Sequence, residues 1–203
     1  MRIISKEDFK MLHILKNGLD YIHNIEFVKG LQTVLDKEGC IYDIGCWTGT
    51  LSFLCAQFLI ENNIDKKIYL FDTFDGHPTE RRTEEDNSWN FSIEGFKNVC
   101  IDDIKRTFAQ LNFSNYELVK GDVCETIKQV TEKPAFISLD LNYYASTKCA
   151  LEALNENHYK HTIIWEDDFN NIQGINKAYT ECPFVEEINL NQSRGSFFKF
   201  VPR

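Results

Sequence analysis

Carboxylates mark the places in this chain where chemistry is to be expected. Asp43, Asp72, Asp122, Asp140 and the run Glu166-Asp167-Asp168 each fall at or just after the end of a short apolar segment. Two constellations stand out. The first is Asp43-Ile44-Gly45-Cys46-Trp47-Thr48-Gly49, where glycines at 45 and 49 let the backbone turn tightly and approach a ligand. This is not the dinucleotide fingerprint G-x-G-x-x-G, because Trp47 stands where the middle glycine would admit a pyrophosphate. That departure disfavours a nicotinamide oxidoreductase. A small cationic cofactor with an amino-acid tail has no pyrophosphate to cradle, and Asp43 offers a carboxylate to face its ammonium or sulfonium. Asp72, with Thr73 beside it, is the next cofactor-binding candidate, since a carboxylate at the end of a second strand accepts paired hydrogen bonds from ribose hydroxyls. The alternative for Asp72 is a turn or N-cap residue. Asp122 is a candidate for the adenine edge and equally for a solvated turn.

The second constellation is Asp140 with Asp167 and Asp168. If their strands are neighbours, three carboxylates converge, and they repel one another unless a hard divalent cation with oxygen ligands sits between them. Mg²⁺ is the default, because it keeps waters that a substrate oxygen can replace. Metal coordination lowers the pKa of an alcohol, and holding that oxygen in line with an electrophilic methyl supplies the rest. The alternative is that Asp167-Asp168 cap a helix beginning near Asn171.

The elements needed to position these groups follow from hydrophobic period. Apolar spacing over residues 7–35 (Phe9, Leu12, Leu15, then Ile22, Phe27, Leu31, Leu35) predicts two helices ahead of the sheet, closed by Gly39 as a C-cap. Strands are predicted at 40–44, 67–71, 116–120, 135–139 and 161–165, with helices at 51–61, 99–111, after 125, at 146–155 and at 172–180. Runs at 184–190 and 196–201, separated by Asn191-Gln192-Ser193-Arg194-Gly195, predict a closing hairpin. Five strands alternating with helices imply an α/β fold with a mostly parallel sheet, covered on both faces, seven-stranded once the antiparallel C-terminal hairpin is added. In such sheets ligands bind outside the carboxyl ends of the strands, where every one of these acids falls.

Composition narrows the partners. The 203 residues suit a single domain, 43% hydrophobic and 26% charged, with residues 1–38 as N-terminal helices and 79–98 as a lid over an acceptor. That lid segment carries Arg81, Arg82, Trp89 and Phe91, a mix suited to a polar, ring-bearing acceptor, or it is a surface loop. A net charge of −9 argues against nucleic acid as a partner. The longest apolar stretch, 51–60, is too short for a membrane span. Seven cysteines form no C-x-x-C pair, which argues against a disulfide framework or zinc site and for a reducing, cytoplasmic location. The oligomeric state is left open, a homo-oligomer included.

The segments IYDIGCWTGTLS, LFDTFDGHP, LVKGD, SLDLNYYASTKCALEAL and IIWEDDF, in that order, resemble the macrocin and mycinamicin sugar O-methyltransferases and their novobiocin-pathway relative. The resemblance runs from about Cys40 to Thr180. Its most specific parts are Asp72-x-Phe74-x-Gly76-x-Pro78 and Leu139-Asp140-x-x-x-Tyr144-x-Ser146-Thr147. It implies a Rossmann-like class I methyltransferase fold, S-adenosylmethionine as methyl donor, Mg²⁺ dependence and a sugar hydroxyl as acceptor. By the same resemblance Asp140, Asp167 and Asp168 match the metal ligands, and Asp43, Gly45 and Asp72 the cofactor contacts. One position departs. The family usually reads D-x-D-x-Y, with the second acid a general-base candidate, and here that position is Asn142, whose amide accepts no proton at neutral pH. Either another group takes the proton, with His77 a candidate beside Asp140 and Asn142, or the substrate is different, or activity is weak, or the chain binds the cofactor without this chemistry. A lone loop histidine is equally a solvated one.

Overall fold

In the computed structural model, which describes residues 21–87, 96–190 and 195–201, the apolar runs become the middle of the sheet. β1 (Cys40–Ile44) and β4 (Pro134–Leu139) are buried at every position and lie side by side in parallel. Near-continuous apolar sequence is what a strand covered on both faces requires. β2 (Ile68–Asp72) and β3 (Tyr116–Lys120) extend the sheet on one side, and β5 (Ile163–Glu166) on the other. The tail forms the expected hairpin of β6 (Val185–Ile188) and β7 (Ser196–Phe200). β7 inserts antiparallel between β5 and β6, which gives the order β3-β2-β1-β4-β5-β7-β6.

Alternation along the strands sends side chains into two cores. On one face, Ile41 and Phe136 pack with Phe27 and Leu31 of α1 (Tyr21–Gln32), Leu54 and Phe58 of α2 (Thr50–Glu61), and Phe108 of α3 (Ile101–Gln110). On the other, Tyr42 and Ile137 pack with Cys124 of the short α4 (Val123–Thr126), Leu151 of α5 (Tyr144–Glu156), and Ile175 and Tyr179 of α6 (Gln173–Thr180). The chain order reverses between β1 and β4. This is the switch point of an open α/β sheet, where the loops at the carboxyl ends part and leave a crevice.

Three expectations need correction or fall outside the described residues. The helix expected to reach Leu35 stops at Gln32, so Gly39 is no C-cap. Its φ is +115°, and a Cβ there would lie 2.8 Å from Ala135 N and Lys133 O, so glycine serves the close approach of two strand starts. The argument from cysteine spacing against disulfides also needs correction: Cys124 and Cys149 form one, with Cα atoms 5.6 Å apart. The two helices that carry them pack on the same sheet face, a proximity that no C-x-x-C spacing reveals. The first predicted N-terminal helix (Phe9, Leu12, Leu15), Trp89 and Phe91 of the lid, and residues 191–194 of the hairpin turn lie outside the described residues. Among the described residues no helix is long and apolar enough to cross a membrane.

Candidate active site

A cavity opens at the carboxyl ends of β1, β2, β3 and β4. Gly45, Asp72, Thr73, Gly121 and Asp122 line it, together with Asp140, Asn142 and His77, and Trp47, Phe71, Pro78, Phe96 and Leu141 supply apolar walls. Asp72 of the first sequence constellation and Asp140 of the second thus share one space, while Asp167 and Asp168 do not line it.

Asp72 organises the half of the cavity at the ends of β1 and β2. As the last residue of β2 it accepts hydrogen bonds from the backbone N–H of Trp47 through Oδ2 and of Phe74 through Oδ1, both at 2.7 Å. It thereby pins the turns after β1 and β2, both of which use left-handed residues, Trp47 at φ 46° and Phe74 at φ 56°. Burial raises its pKa, and the Phe74 and Trp47 N–H groups oppose the rise. Thr73 Oγ also lies 3.4 Å from Oδ1, so it is Oδ2, with one lone pair beyond its bond from Trp47 N, that keeps capacity for a further donor. Thr73 Oγ accepts from Asp75 N at 3.2 Å and so shapes the following turn.

Gly45 is needed for a reason the sequence hides. It has φ +81°, and a Cβ there would fall 1.8 Å from the carbonyl oxygen of Asp140, whose own N–H is bonded to Ile44 O at 2.9 Å. It is the neighbouring strand end, before any ligand, that excludes a side chain. Asp43 also departs from expectation. It is 3% exposed, accepts from Ser52 Oγ at 2.6 Å and does not line the cavity. Burial pushes its pKa up to about 6, against the lowering effect of Ser52. Along an alternating strand, Asp43 points into the α2 face, where it fastens the turn to that helix. Cys46 is likewise turned into the core, and Gly49 is the left-handed N-cap of α2; neither lines the cavity.

Asp122 is both cavity wall and helix cap: its Oδ1 accepts from Cys124 N at 2.9 Å at the start of α4. Its Oδ2 receives Arg81 Nε at 2.7 Å. Arg81 thereby latches residues 79–81 onto the turn after β3. Arg82 is exposed at the outer side of this segment.

At the acidic end, β4 and β5 run in register with Leu139 opposite Glu166, so Asp140 and the Asp167-Asp168 turn leave adjacent strands. Asp140 is held well above the usual carboxylate range by burial first, then by Asp168, Asp167, Asp43 and Asp72. Glu166 is buried beneath the same turn and is also raised, by burial, Asp168 and Asp140. Repulsion of this kind is what a cation would relieve, and carboxylate oxygens suit a hard divalent ion. Among the described residues, however, no three His, Cys, Asp or Glu side chains are grouped closely enough to hold a metal as they stand. Asn142 occupies a left-handed position, φ 62°, which asparagine tolerates. Its Nδ2 donates to Asp140 Oδ1 at 3.2 Å. His77 packs between Phe96 and Tyr143, with ring centroids 5.0 and 4.9 Å away, and burial pushes its pKa below the usual imidazole value. At neutral pH the ring is therefore neutral and able to accept a proton.

A family model described as macrocin-O-methyltransferase (TylF) matches residues 20–193. No curated protein sequence matches. Among solved structures, the chain is similar to the calicheamicin methyltransferase CalS11, at 19% identity over 96% of this chain and 80% of that one, with a TM-score of 0.76. It is similar also to the O-methyltransferase NovP, at 18% identity over 89% and 81%, again with a TM-score of 0.76. The S-adenosylhomocysteine-bound Podospora anserina methyltransferase PaMTH1 follows at 15% identity over 88% and 79%, TM-score 0.58. These likenesses establish the Rossmann-like class I methyltransferase fold for the sheet described above.

Proposed function

Because this chain belongs to the macrocin-O-methyltransferase family, whose members transfer methyl groups from S-adenosylmethionine to oxygen, we propose that it methylates a hydroxyl of a sugar, glycosylated small molecule or polysaccharide precursor with help from a divalent cation. One observation carries the reading: the ribose-gripping candidate Asp72 and the acidic residue Asp140 line a single cavity. A methyl donor held against Gly45, Asp72 and Asp122 would present its sulfonium toward Asp140 and Asn142.

The chain's own residues divide the work. Asp72 grips the ribose hydroxyls and, through Trp47 and Phe74, keeps both turns of the nucleoside floor in place. Asp43 holds the first turn from below. The apolar walls exclude water, so the acceptor oxygen meets the methyl group in a site of low dielectric. Asp140, Asp167 and Asp168 would hold the cation, most simply Mg²⁺, which supplies Lewis-acid activation of the acceptor hydroxyl when bound. With Asn142 engaged as a donor to Asp140, the proton-accepting role passes to His77, which stands neutral in the same cavity. A small-molecule acceptor agrees with the similar enzymes, of which CalS11 is a TDP-rhamnose 3′-O-methyltransferase.

The test is methyl transfer from labelled S-adenosylmethionine to a panel of nucleotide sugars and glycosides, with S-adenosylhomocysteine binding measured by calorimetry. Chelation of divalent ions and Asp140→Ala should each abolish turnover and leave S-adenosylhomocysteine binding within a few-fold. Loss of cofactor binding together with turnover would refute the role given to Asp140.

A further inference from the structure

The segment after Arg82 carries a buried acid that the proposed chemistry does not use. Asp86 ends a 3₁₀ turn (Glu84–Asp86) and is 0% exposed. Its Oδ2 accepts from Thr83 N at 2.8 Å and Thr83 Oγ at 3.0 Å. Its Oδ1 accepts from Tyr144 N at 2.8 Å, across 58 residues of chain. Tyr144 is the first residue of α5, a helix that its N-cap residue, Tyr143, does not cap through its side chain. The same Oδ1 sits against α6: a Cβ at Gly174, the second residue of that helix, would lie 2.8 Å from it. The N-cap of α6, Ile172, also lacks a side-chain cap.

Two helices that do not cap themselves thus begin around one carboxylate from a distant loop. The first turn of a helix has N–H groups in need of acceptors, and the side chain of Asp86 supplies one to Tyr144 N. These are also the two helices whose starts decide the active-site geometry. α5 begins two residues after Asn142, and α6 follows the Asp167-Asp168 turn, in which Asp168 O accepts from Asn171 N and Ile172 N at 3.0 and 3.1 Å. Ion pairs on the outside, Lys177–Glu85 at 2.6 Å and Lys148–Glu181, are too exposed to fix that spacing.

Resting on the function proposed above, we propose that Asp86 is a positioning residue that sets the Asp140–Asn142 turn and the Asp167-Asp168 turn at their working separation by capping α5 while seated against α6. Gly174 is its counterpart, glycine because the carboxylate occupies the space of a side chain.

Asp86→Asn and Gly174→Ala test this from opposite sides. The amide keeps the shape of Asp86 but cannot accept at both Thr83 and Tyr144, and the added methyl pushes the intact carboxylate away from α6. Both variants should lose turnover by about tenfold or more, as sub-ångström displacement of catalytic groups does, with S-adenosylhomocysteine affinity and acceptor KM within about twofold, the pattern of a loss confined to the transition state. Hydrogen exchange should rise in peptides covering residues 143–147 and 172–176 and stay unchanged over residues 40–49. Should either variant prove unstable, Thr83→Val, which removes the hydroxyl that donates to Asp86 Oδ2 and accepts from the Asp86 backbone N–H but leaves the carboxylate and its bond from Tyr144 N in place, should show the same exchange pattern in milder form. Unchanged exchange at both helix starts, or exchange rising equally across β1 together with lost cofactor affinity, overturns the positioning role. Absence of S-adenosylhomocysteine binding in the wild type would overturn the underlying function instead, and the exchange measurement would still decide for or against Asp86.

Discussion

Alanine at position 45 would bring a methyl group 1.8 Å from the carbonyl oxygen of Asp140 and 2.7 Å from its carbonyl carbon. Both are backbone atoms, so no side-chain rotation relieves the overlap. Ordinary contact begins near 3.4 Å, and the ends of β1 and β4 would have to part by about 1.6 Å, the difference between these distances. Two costs add. Holding a non-glycine residue at φ +81° costs about 1–2 kcal/mol. Forcing an extra methyl into close packing costs about 1–3 kcal/mol. The Gly45→Ala protein should therefore be less stable by about 2–5 kcal/mol, and a domain of this size should melt roughly 10 °C lower. Urea denaturation followed by circular dichroism reads the free energy directly. The same displacement moves Asp140, so methyl transfer should fall by about 100-fold in protein that remains folded. An alanine variant within 1 kcal/mol of wild type, with its activity retained, would show that the strand ends separate freely and would refute the steric reasoning.

Two further outcomes follow from the fold. Burial is the largest cause of the raised Asp43 pKa, about 6 when folded against about 3.9 for an unfolded aspartate. The folded protein therefore binds more protons between pH 4 and 6, and stability falls as pH rises through that window. Measured as the difference between wild type and Asp43→Asn, this contribution should decline by roughly 2–3 kcal/mol from pH 4 to pH 7; a difference independent of pH would rule it out. The Cys124–Cys149 disulfide closes a loop with a sequence separation of 25, for which chain entropy predicts about 3.5 kcal/mol. Dithiothreitol should lower the denaturation midpoint of the wild type and not that of a Cys124→Ser, Cys149→Ser double variant, and titration in denaturant without reductant should find five thiols; seven would exclude the bond.

Much of this protein is written in local sequence. The runs at 40–44 and 135–139 are apolar throughout because β1 and β4 are covered on both faces, and the helices at 50–61 and 144–156 follow from their spacing to within a residue or two. An acid at each strand end was enough to direct attention to the carboxyl edge of the sheet, since parallel topology allows ligands little other place. What the side chains face is another matter. Asp43 and Asp72 look alike in sequence, yet one turns inward to Ser52 and the other lines the cavity. Arg81 meets Asp122 across 41 residues and Asp86 meets Tyr144 across 58, while Gly45 owes its identity to the backbone of Asp140. Secondary structure is decided by neighbours a few residues away, whose period can be counted. Hydrogen bonds, disulfides and steric exclusions between strands and loops are decided by which distant segments pack together, so their partners, and with them the reasons for these residues, became visible only in the folded chain.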